Sequence, residues 1–89
     1  VSEPQALPAV TFSSFVITLA QSAMVHLGEA ADPVTGARSV DMHLARHTID
    51  VLGVLAEKTV NNLDAEEQKL LDSLLDEVRA KFVEVSRAR

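Results

Sequence analysis

Ser13-Ser14-Phe15-Val16-Ile17-Thr18-Leu19-Ala20-Gln21-Ser22-Ala23-Met24-Val25-His26-Leu27, closed by Gly28, is the stretch that decides how this chain folds. Ser13 carries the hydroxyl an N-cap needs to accept from a backbone N–H of the first turn. Phe12 and Ile17 sit where a hydrophobic staple closes. Gly28 offers the left-handed residue that ends many helices. The spacing predicts a helix over 13–27. Its apolar residues, Phe15, Val16, Ile17, Leu19, Ala20, Ala23, Met24, Val25 and Leu27, cover most of the circumference. Ser14, Thr18, Ser22 and His26 form one narrow stripe at four-residue spacing. A helix that is apolar nearly all round is buried nearly all round, and one copy of this chain has too little else to bury it.

Outward from that helix, Val1 to Thr11 holds Pro4 and Pro8 and no helical period, and reads as a flexible lead-in over 1–11. Glu29 to Val40 is a connector. Within it, Asp32-Pro33-Val34-Thr35-Gly36 is a turn: Asp bonds nearby backbone, Pro presets φ and Gly accepts a positive φ. A second helix is expected over 41–59, capped by Asp41 or Ser39. Leu44, Ala45, Thr48, Ile49, Leu52, Leu55 and Ala56 make its broad apolar face. Gly53, inside it, suggests close approach of a neighbouring helix. Asn61-Asn62 breaks the pattern. A third helix is expected over 64–86, opened by the capping-box pattern Asp64-Ala65-Glu66-Glu67. Its face runs through Leu70, Leu71, Leu74, Leu75, Val78, Phe82 and Val85, with acids in the first turn and bases at the end. The fold class is all-α: one three-helix domain over 12–89, with the second and third helices as an antiparallel hairpin.

Composition narrows the function. With 89 residues a single core is marginal, and small domains lean on disulfides, a metal or a partner chain. There is no cysteine, which removes disulfides and thiolate zinc sites. The net charge of −5 opposes phosphate backbones and anionic lipid. Phe12, Phe15 and Phe82 are the only aromatic rings, too few for a stacking platform. Nucleic acid is not an expected partner. No basic N-terminal targeting segment is visible. Pro4 to Gly28 lacks Asp, Glu, Lys and Arg, but its prolines and hydroxyls argue against a membrane span.

The first helix then becomes an argument about assembly. The other two helices cover about half of it, and a contiguous apolar patch on a soluble chain marks an interface. A two-fold homodimer is the simplest closure, with the bundle completed by the second copy. Its interface is expected at Phe15, Val16, Leu19, Ala20, Ala23, Met24 and Leu27. The small stripe of Ser14, Thr18 and Ser22 suits close approach of two copies. The alternatives are a monomer that folds Val1 to Thr11 over the face, or docking of that face on a membrane or a larger protein partner.

Chemistry is thinly represented. His43 and His47 are four apart and Asp50 follows three later, so all three project from one helical side. Such a set can hold a divalent metal, which makes a metal-binding protein or enzyme the alternative function. The bland reading, solvated side chains beside Arg46, is preferred. His26 is read as interacting with the C-terminal helix dipole. Ser13, Ser14 and Ser22 have no nucleophile motif around them, and three glycines form no phosphate loop. Asp72, Asp76 and Glu77 read as a solvated face with Asp76–Arg79 and Glu77–Lys81 pairs. No catalytic residue, cofactor or metal is assigned.

The residues also resemble a family. Phe12-Ser13-Ser14-Phe15-Val16, Leu19-Ala20, Ser22-Ala23 and His26-Leu27-Gly28-Glu29 are similar to the opening of the bacterial domain-of-unknown-function 1844 proteins. The resemblance continues through Asp32-Pro33, Thr35-Gly36, Thr48-Ile49-Asp50, Glu57-Lys58-Thr59 and Asn62-Leu63 to Val83-Glu84-Val85. It implies a short, bacterial, cytoplasmic protein and implies no activity.

Overall fold

The computed structural model describes residues 9–89; the expected lead-in lies outside them except for its last three residues. Three helices follow in order: α1 (Phe12–His26), α2 (Met42–Lys58) and α3 (Ala65–Ala88). The described residues form no strand, only an isolated antiparallel bridge between Leu27 and Val40. The fold is all-α, and its helix limits sit within one or two residues of those expected.

Each helix end has a local cause. Thr11, rather than Ser13, caps α1. Its side chain accepts from the Ser14 N–H, while the Ser14 hydroxyl oxygen accepts from the Thr11 N–H. This capping box shifts the first turn by two residues and removes the expected staple, because Val10 before the cap is 97% exposed. Phe12 packs on the core instead. At the other end Gly28 has φ +77°, and two bonds run back into α1: Gly28 N–H to Val25 O and Glu29 N–H to Met24 O, each 3.0 Å. That pair satisfies carbonyls the helix leaves free. Asp41 caps α2. Asp64 and Glu67 form the reciprocal box of α3.

The connector turns as its sequence requires. Asp32 Oδ1 accepts from the Val34 and Thr35 N–H groups, and Gly36 has φ +73°. The Asp41 N–H donates to His26 O at 2.8 Å, so α2 starts beside the end of α1 and runs back along it. Asn61, at φ +64°, makes the shorter turn into α3. Lys81 in α3 reaches Glu29 just after α1, so α1 and α3 point the same way with α2 opposed to both.

One core joins all three helices: Val16, Ala20 and Ala23 from α1, Ile49 and Leu52 from α2, and Leu71, Leu75 and Val78 from α3. Thr48, the one buried polar residue among the described residues, donates its hydroxyl to Leu44 O at 3.0 Å, which removes the penalty of burying it. Two expectations need correction. A Cβ on Gly53 would meet only the Arg79 guanidinium, at 3.5 Å, so no neighbouring backbone crowds this glycine. Lys81 pairs with Glu29 and Glu84 rather than with Glu77, because its long stem reaches across to the end of α1.

Candidate functional site

The α1 sequence sets which of its sides meets the core. At 3.6 residues per turn, Val16, Ala20, Ala23 and Leu27 fall on one stripe, and all four are buried. Thr18 and Gln21 lie opposite and are exposed. The small hydroxyl stripe therefore points away from the core, and its groups serve their own helix: Thr18 donates to Ser14 O at 2.9 Å, and Ser14 works in the cap. Of the seven residues expected at an interface, Val16, Ala20, Ala23 and Leu27 are already covered within one copy, because α2 and α3 fill that side. Phe15 remains 47% exposed; Leu19 and Met24 are partly buried against the core.

Two apolar surfaces stand out among the described residues. One is an open groove of about 500 Å³ between α1, α3 and the connector, with Ile17, Met24, Val25 and Leu74 among its walls. Ile17 is 39% exposed there. The other runs along the outer side of α2. Leu44 is 48% and Val54 55% exposed, with Val51 half-buried between them and Leu55 half-buried beside Val54. His47, Asp50, Val51, Val54 and Leu55 enclose a shallow depression of about 290 Å³ on it. Leu44 was expected on the buried face; the core turns instead on Ala45, Thr48, Ile49 and Leu52, which places Leu44 on the flank. The signal for this strip was in the sequence. Leu44, His47, Val51, Val54 and Lys58 alternate steps of three and four, the spacing of a helix-pairing seam.

The titratable groups are dispersed. His43, His47 and Asp50 are exposed on α2, and among the described residues no group of three or more His, Cys, Asp or Glu side chains is placed to hold a metal. Asp50 also borders a second depression, between α2 and α3, which it shares with Arg46 and Arg79. One pair was not expected from the sequence: Ser22 Oγ and His26 Nε2 lie 3.4 Å apart, one turn along α1. The nearby acid, Asp32, lines the same hollow but gives Oδ1 to the backbone of its own turn. The only ion pairs among the described residues are the two of Lys81. No helix among these residues is long and apolar enough to cross a membrane.

A family model described as a domain of unknown function (DUF1844) matches residues 9–84. No curated protein and no solved structure gives a match.

Proposed function

We propose that this chain, which belongs to the DUF1844 family, is a non-catalytic helical interaction module that works as a homodimer or higher homo-oligomer. The family is one of unknown function and supplies no activity, so the reading rests on the surface of the molecule. The observation that carries it is the set of large apolar side chains left outside the core: Phe15 and Ile17 on opposite sides of α1, Leu44 and Val54 on the outer side of α2. Burying a large aliphatic or aromatic side chain is worth about 1.5–3 kcal/mol. A three-helix core built largely from alanine, valine and leucine has much to gain from that added burial. The single three-helix domain over 12–89 then supplies one half of a larger core. A bacterial, cytoplasmic setting completes the proposal and rests on the family resemblance.

The test is the mass of the protein in solution by light scattering across a concentration series. A mass above that of one chain supports self-association. A monomer throughout contradicts it and leaves the flanks to a different protein partner.

A further inference from the structure

We infer that two copies join along the outer strip of α2, antiparallel, with the two-fold axis between His47 and Val51. This rests on the self-association reading and deepens it by naming the surface, the orientation and the register.

Of the two apolar surfaces, only the α2 strip has the geometry of a helix-pairing seam. Leu44, His47, Val51, Val54 and Lys58 descend one side of a single helix at three- and four-residue steps. That spacing lets side chains of one helix seat between those of another. The groove beside α1 is walled by two helices and a loop and offers no such straight line.

Charge selects a second copy as the occupant and fixes its direction. The strip has Asp41 at its amino end and Lys58 at its carboxyl end, and neither enters an ion pair among the described residues. Laid antiparallel about the point between His47 and Val51, Lys58 of one copy comes beside Asp41 of the partner subunit, and Glu57 beside His43 of the partner subunit. Both relations occur twice by symmetry. Laid parallel, the same strip sets Lys58 against Lys58 and Asp41 against Asp41. The helix dipoles favour the antiparallel arrangement as well. Such rim charges contribute little affinity but decide orientation.

Asp50 is the one group that opposes this pairing, since two copies of it approach near the axis. Arg46 and Arg79 share its depression on the α3 side, so each carboxylate has guanidinium groups at hand away from the seam. His47 lies on the seam itself, beside Asp50.

The absence of cysteine makes the test clean, because any introduced thiol reports one position. Full-length Val51→Cys, Leu44→Cys and Val54→Cys variants are treated with a short bis-maleimide, which spans the separation of packed helices, about 8–10 Å. Circular dichroism and light scattering are recorded on each variant before treatment. The inference predicts that Val51→Cys links to itself, that Leu44→Cys alone stays at background, and that an equal mixture of Leu44→Cys and Val54→Cys links across. Self-linking of Leu44→Cys shows parallel pairing and overturns the inference. An associated, folded protein in which neither Val51→Cys nor the mixture links also overturns it, while leaving self-association standing. A monomer mass overturns both.

Discussion

Lys81 Nζ lies 2.9 Å from Glu29 Oε1, tying the carboxyl-terminal part of α3 to the residue that follows the turn ending α1. Glu84 Oε2 holds the same ammonium at 3.1 Å. The hydrogen bond to Glu29, then that to Glu84, raises the Lys81 pKa above the ordinary 10.5, against a smaller opposing effect of desolvation. A lysine whose pKa is raised on folding stabilises the fold fully below its unfolded pKa. That contribution is lost as pH rises through the folded value. Lys81→Met is therefore expected to be less stable than the parent at neutral pH and to match it well above pH 10.5. Urea titrations of both proteins at the two pH values measure this. Because both partners are partly solvent-exposed, the deficit is small and shrinks with added salt.

The turn after α1 makes a second prediction. Gly28 has φ +77°, and a Cβ there would stand 2.9 Å from Val40 Cγ2; Gly36 has φ +73° with open space around it. Gly28→Ala carries both backbone strain, about 1–3 kcal/mol, and a clash at the Leu27–Val40 bridge. Gly36→Ala carries the strain alone. Thermal melts should rank the parent above Gly36→Ala and Gly36→Ala above Gly28→Ala. Equal melting of the two variants would show that the Val40 contact gives way freely.

Gly53→Ala should do the opposite. The site is inside a helix, and the added methyl meets only the flexible end of Arg79 at ordinary contact distance. A gain of up to about 1 kcal/mol is expected, read as a melting temperature raised by about 4–8 °C. A lower melting temperature would mean that the glycine relieves crowding after all.

Capping distinguishes neighbours that look alike in the sequence. Thr11→Ala removes a side-chain acceptor of the α1 box and should cost about 1 kcal/mol. Ser13→Ala removes no capping bond and should leave stability nearly unchanged. Chemical denaturation of the two variants measures the contrast.

Much of this was legible in the residues. Asp41, Asp64 and Glu67 cap where their types and spacing place them, and Asp32 and Gly36 make the turn that Asp32-Pro33-Val34-Thr35-Gly36 describes. Helix existence follows from periodicity and local capping, which neighbouring residues decide. The start of α1 was harder, since Thr11, Ser13 and Ser14 are all capping residues and only the backbone geometry chooses among them. The outward side of α1 was harder still. A helix apolar nearly all round has no single face, and Val16, Ala20, Ala23 and Leu27 were picked for burial by the packing of α2 and α3 rather than by contrast with polar neighbours. The α2 strip escaped notice for the converse reason: Leu44 and Leu55 join either of two adjacent apolar faces, and the core takes the one through Ala45 and Leu52.

Substitutions on the two sides of this division should behave differently. Ala20→Glu places a carboxylate in the core, where it has no partner, and should unfold the chain. Val54→Glu sits on the exposed strip and should preserve helical content by circular dichroism while weakening association. Loss of helix in Val54→Glu would instead tie the strip to the fold of the single copy.

Sedimentation of the unmodified protein at micromolar concentration bears most directly on the account. It predicts a species of at least twice the 9.6 kDa chain mass, falling toward one chain mass in Val54→Glu. A single species of 9.6 kDa at every concentration would contradict it.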